Sequence, residues 1–199
     1  MWLFGKKNND IAKEQKSSVE TVSEQSIEEM CLKIAEMISG NDKCVMTELK
    51  ESYANPQAYI AKYHEHLSGD YMLEENEMEA YVSDKWWLMT DLLEIKEYVC
   101  KRDWKDELED FLYFLSETKR AVSENIRLDE LDLPFSEEGD IPEWSALIDK
   151  ELTNKNLAVG NIETESDEYT VFLCAVDVLE RLEKCAGAMN HKITFAKKA

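Results

Sequence analysis

The feature that most constrains this chain is a change of hydrophobic period near Asn156. Before that residue, apolar side chains recur every three or four positions. After it they alternate or run together in short blocks. Upstream, Ile27, Met30, Cys31, Ile34 and Ile38 share one helical face behind a Ser26–Glu29 capping box, and Gly40-Asn41 supplies the stop. Asn55-Pro56 opens another helix, with Tyr59, Ile60, Tyr63 and Leu67 inward and Gly69 at its end. Residues 70–82 are dense in glutamate and carry a thin stripe of Tyr71, Met78 and Val82. From about Asp84 to Cys100 two flanks are apolar, Leu88, Leu92, Ile95 and Val99 on one and Trp86, Met89 and Leu93 on the other. Such a helix is expected between neighbours. Asp103 is expected to cap the next helix, which turns Trp104, Leu108, Phe111, Leu112 and Leu115 to one side. The acidic connection from Leu128 to Asp140 is assigned no single conformation. Pro142 opens a last helix bearing Trp144, Leu147, Ile148 and Leu152.

Downstream, Leu157 to Thr164 reads as a strand in which Gly160 marks a bulge. Glu165-Ser166-Asp167-Glu168 is turn chemistry, and Tyr169 to Ala175 is a strand apolar on both faces. Asp177 with Glu180 is expected to cap a short helix through Leu179, Leu182 and Ala186, and His191 to Phe195 closes a third strand. A run of amphipathic helices packed on a small C-terminal sheet, in the order strand, turn, strand, helix, strand, makes the class α+β. The central strand needs cover on both faces, and the helices can supply one of them. Only three prolines and six glycines occur, which suits long helices and disfavours a turn-rich β-sandwich. We expect one α+β domain over residues 26–199, preceded by a polar, flexible tail at 1–25.

Charge sets the function classes. The chain carries 43 acidic against 23 basic residues, a net charge of −20. That field repels phosphate backbones and anionic lipid, so neither a nucleic acid nor a membrane is the expected partner. Five cysteines, an odd number with no C-x-x-C pair, fit reduced and buried thiols and a cytoplasmic setting. No apolar stretch is long enough for secretion or for a membrane span.

Several residue groups carry candidate chemistry. His64-Glu65-His66 lies in a helical context, where residues two apart point in different directions, so two surface histidines are expected and no metal site. Asp103, Asp106, Glu107 and Asp110 recur at helical spacing. That could hold Mg²⁺ or supply an acid–base pair, but it also describes the wet side of a helix. Asp167 and Glu168 read as a turn entering the central strand, with an acidic pocket mouth as the alternative. Trp86, Trp87 and Trp104 are the densest aromatic supply. Adjacent tryptophans on one helix cannot both be buried the same way, and an exposed Trp rimmed by acids has the character of a binding hot spot. Phosphate loops, nucleophile elbows, zinc-protease and dinucleotide signatures do not occur, and no cofactor is expected.

Arg102-Asp103-Trp104-Lys105 after an aromatic-rich helix, with Ser166-Asp167-Glu168-Tyr169 before an apolar strand, is similar to small acidic bacterial proteins classed as a domain of unknown function. Some of these resemble immunity proteins of toxin systems. The resemblance spans about Trp86 to Phe195 and implies a bacterial cytosolic α+β protein, with no catalytic residue to carry over. The reading of the residues is a non-enzymatic module for a basic protein partner, with Trp86, Trp87, Trp104, Asp103, Asp106, Glu107, Asp167 and Glu168 as its contact set. A carboxylate- or metal-dependent enzyme and a self-associating structural protein are the alternatives.

Overall fold

The computed structural model describes residues 24–69 and 71–199, so all but the last two residues of the expected tail lie outside the described residues. The fold is α+β. Helices α1 (Glu24–Ser39), α2 (Lys43–Ala54), α3 (Pro56–Gly69), α4 (Glu75–Ser83) and α5 (Lys85–Ile95) precede strand β1 (Cys100–Asp103). Then come α6 (Leu108–Glu117), α7 (Lys119–Ser123), a 3-10 turn at Leu128–Glu130 and α8 (Ile141–Glu151). Strands β2 (Leu157–Ile162) and β3 (Glu168–Ala175), helix α9 (Val176–Gly187), strand β4 (Ile193–Phe195) and a 3-10 turn at Ala196–Lys198 complete the chain. The sheet order is β1-β3-β2-β4, with every pairing antiparallel.

Alternation along the two central strands creates two cores. Ala158, Ile162, Phe172 and Cys174 face a layer built from α1 to α5 and α9. Leu157, Val159, Val171 and Leu173 face the other way, onto α6, α7 and α8. The sheet therefore lies between two helical layers, and the early helices cover only one face, as the both-sided apolar strand requires.

Several boundaries match their chemistry. Asn55 Oδ1 accepts from the Ala58 amide at 3.3 Å, and Asp140 Oδ1 from the Glu143 amide at 2.9 Å, so both expected helix starts carry a side-chain cap. Gly40 and Asn41 take φ +64° and +63°, the left-handed stop. Asn156, where the period changes, is also left-handed (φ 55°, ψ 35°) and turns the chain into β2.

Other expectations are corrected. Ser26 lies inside α1, not at its cap, because the helix already includes Glu24. The element expected from Asp84 to Cys100 is two elements, since α5 stops at Ile95 and β1 begins at Cys100. Asp103 caps no helix: it ends β1, opposite Glu168, and α6 begins five residues later. Asp177 sits in the first turn of α9, whose N-cap is Ala175. Gly160 is not a bulge. It pairs in regular register with Phe172 and Phe195, and a Cβ there would stand 2.5 Å from Phe172 Cζ. The glycine is needed because an aromatic ring lies flat over the strand. Helix α2 had no counterpart in the sequence reading. Asp42 caps it, accepting from the Cys44 amide at 2.7 Å, and Val45, Leu49 and Tyr53 are its buried stripe. Among the described residues no helix is long and apolar enough to cross a membrane.

Candidate functional site

Two polar features stand out, one on each side of the sheet. The first is a surface pocket of about 380 Å³ at the end of the sheet where the helices of the second layer no longer cover it. Trp104, just after β1, forms one wall. Asn161 of β2 and Tyr169 of β3 lie on the same sheet face as the second core, one step beyond its last apolar residues. Glu163, Asp167 and Glu168 add three carboxylates against Lys192, which pairs with Glu163 at 2.7 Å.

The pocket thus gathers three of the eight expected contact residues, Trp104, Asp167 and Glu168. Trp104 is 55% exposed, with Lys105 Nζ 4.6 Å from its ring centre. Asn161 is only 6% exposed, and its Oδ1 has no hydrogen-bond partner. A buried amide oxygen left in that state lacks the partner such groups normally find.

The other five separate. Trp86 is 1% exposed, stacks on His191 at 4.1 Å and donates through Nε1 to the Glu163 carbonyl at 3.2 Å. It belongs to the core and cannot be a contact residue, although it braces the strand end that carries Glu163. Trp87 is half-buried against Tyr81, at 5.6 Å between rings. Asp106 turns back to Arg102, accepting from both Nε and Nη2. Asp103 is exposed and its Oδ1 accepts from the Lys105 amide at 2.8 Å; Glu107 is exposed at the start of α6. The four carboxylates expected along one helix therefore do not share a helical face, because the first three lie in a strand and a turn.

The second feature was missed in the sequence. Asp91, in the middle of α5, is fully buried. Tyr59 of α3 donates its hydroxyl to Asp91 Oδ2 at 2.6 Å, and His66 Nε2 lies 2.9 Å from Asp91 Oδ1. One helical turn on, Glu94 Oε2 accepts from the Tyr71 hydroxyl at 2.7 Å and forms an ion pair with Lys101 Nζ at 2.9 Å. Lys101 also sits 3.8 Å over the Tyr71 ring. His66 is thus no surface histidine: it is half-buried and tied to Asp91, whereas His64 is exposed. Burial, reinforced by the Asp91 charge, pushes the Tyr59 hydroxyl well up, so it remains a proton donor to the carboxylate. Burial, with the Asp91 and Glu94 charges adding, raises Tyr81 as well, and its buried hydroxyl has no hydrogen-bond partner. The signal that could have found this cluster is a carboxylate inside an otherwise apolar helix, Leu88-Met89-Thr90-Asp91-Leu92-Leu93, since a buried charge requires partners.

The thiols are not uniformly buried. Cys31 and Cys174 are buried, Cys100 and Cys185 half-buried, and Cys44 exposed, all five unpaired.

No curated protein and no solved structure matches the chain. Residues 29–196 match the family described as Domain of unknown function (DUF6630), well beyond the segment over which the sequence resemblance was drawn. Since that match takes in the described fold apart from the first turn of α1 and the last three residues, the chain belongs to this domain-of-unknown-function family.

Proposed function

We propose that the chain is a non-enzymatic binding protein that recognises a basic protein partner through the Trp104 pocket. The observation that carries this reading is an exposed tryptophan beside three carboxylates, above a buried amide oxygen without a partner. An arginine or lysine of the partner meets there the three things a cation needs: an aromatic face, negative charge and a hydrogen-bond acceptor. The net charge of −20 steers such a partner from a distance, while the aromatic wall supplies affinity at contact. Acidic side chains also line α4, α6 and the connection before α8, so charge draws the partner in and the pocket selects the docking point. A toxin-neutralising role in a bacterial cytosol is the most specific form of the reading, and it rests on the sequence resemblance alone.

The test is an affinity capture from lysate of the source organism, run with the parent chain and with Trp104→Ala. One basic protein in near-equal amount, weakened at 1 M salt where the screening length falls to about 3 Å, and lost with the variant, is the expected result. Equal recovery by parent and variant overturns the pocket, and recovery indifferent to salt overturns the electrostatic steering.

A further inference from the structure

We propose that His66, Asp91 and Glu94 form a binding site for a first-row divalent metal cation, with Zn²⁺ the ion their donor set suits best. One ligand atom from each lies within 4.8 Å of the other two. Ligands about 2.0–2.2 Å from a zinc ion stand about 3.3–3.5 Å from one another, so rotations of the side chains by about an ångström close the set. One imidazole and two carboxylates lie between the all-oxygen sites of magnesium and the thiolate sites of structural zinc.

The surroundings have the form of a metal site's outer shell. Asp91 Oδ2 is held by Tyr59 and Glu94 Oε2 by Tyr71 and Lys101, while Asp91 Oδ1 faces His66 Nε2. Donors on the outer oxygens fix a carboxylate's orientation and are the usual support for metal ligands. Asp91 and Glu94 stand three residues apart on α5, so their spacing is set by a rigid element. Among the described residues the site reaches solvent, with the side chains of His66 and Glu94 21% and 25% exposed. Tyr81, packed at 5.3 Å on Tyr71, brings a buried hydroxyl with no hydrogen-bond partner to the same group of aromatic rings.

The experiment is calorimetric titration of chelator-treated full-length protein with Zn²⁺ near neutral pH, in a Cys44→Ser background so that the exposed thiol does not compete. Expected are one ion per chain and at least tenfold weaker binding in both His66→Gln and Glu94→Gln. Glutamine at 66 keeps a hydrogen-bond donor for Asp91, so the metal-free melting temperature of that variant should stay near the parent's, which separates loss of a ligand from loss of the fold. Absence of saturable binding, or saturable binding that both variants retain, overturns the proposal. Both outcomes leave the Trp104 reading untouched.

Discussion

Glu48 of α2 gathers donors from α3 and from the C-cap of α5, and replacing it with glutamine tests how much that convergence contributes. Lys96 Nζ stands 2.8 Å from its Oε2, Lys62 pairs with its Oε1, and the Tyr63 hydroxyl donates to the same Oε1. Tyr63 is the residue at which α3 kinks (φ −114°, ψ 24°), one turn before His66. Burial alone would raise the Glu48 carboxyl, but the hydrogen bonds from Lys62, Lys96 and Tyr63 outweigh it and hold it at about 2, against an ordinary 4.5. That difference corresponds to about 3 kcal/mol of stability at neutral pH, or about 2–3 once the solvent screening of half-exposed Lys62 is allowed for. Because the folded-state value is depressed, the contribution is complete above the unfolded value near 4.5 and is lost as pH falls toward 2. The assay is urea unfolding of parent and Glu48→Gln at pH 7 and pH 3, with urea chosen because it adds no screening ions. At pH 7 the variant's midpoint should fall by roughly 1 M, for a slope of about 2 kcal/mol per molar. At pH 3 the gap should narrow to about 1 kcal/mol, since the unfolded parent is by then largely protonated. A gap of equal size at both pH values would refute the argument, because the loss would then come from packing and not from the ionised carboxylate.

Two further outcomes follow from geometry. Gly160→Ala should destabilise the fold by about 2 kcal/mol or more in the same unfolding assay, within the range that overpacking a core imposes, because the new methyl would meet the Phe172 ring at 2.5–2.9 Å; a change under about 0.5 kcal/mol would show that the ring moves aside. A thiol reagent applied to the native protein should modify exposed Cys44 first. Cys31, Cys100 and Cys174, each pushed up to about 12 chiefly by burial, should react only on unfolding, as mass mapping of the labelled peptides would show.

What the sequence discloses depends on whether a signal is local. The helix starts at Asn55-Pro56 and at Pro142 and the stop at Gly40-Asn41 rest on residues that act within a turn of themselves, and each is found within a residue of where the pattern places it. The end of α5 is hidden for the converse reason. Its left-handed residue is Glu97 (φ 62°), not glycine, and nothing in a glutamate announces that conformation. With that stop invisible, the apolar period runs on through Val99 to Cys100 and Asp103 reads as the next helix's cap, although the pairing of Cys100–Asp103 with Val171, Thr170, Tyr169 and Glu168 makes this segment an edge strand. The misplacement of Asp103, Asp106 and Glu107 on one helical face follows from that single missed boundary. Gly160 shows a second kind of loss. The sequence says that a side chain is unwelcome there, but only the register across to Phe172 says why.

The two candidate sites differ in the same way, and the difference orders their legibility. Trp104, Asp167 and Glu168 are legible as candidates because a tryptophan among acids, and acids at the entry to an apolar strand, stand out by type, whatever they touch. Yet Asn161, which distinguishes a pocket from a mere acidic surface, reads in sequence as an ordinary polar residue of a strand and gains its meaning only when it is buried beside Tyr169. Asp91, Glu94 and His66 lie up to 28 residues apart on two helices, and no spacing rule joins them. What joins them is the cost of burying Asp91, which must be met by Tyr59 and His66 from α3, and therefore fixes how α3 lies across α5. A buried carboxylate in an apolar helix is thus a statement about a neighbour not yet identified. Asp91 therefore calls for an aromatic hydroxyl or an imidazole on a packed helix, and the Tyr59-to-His66 segment carries both.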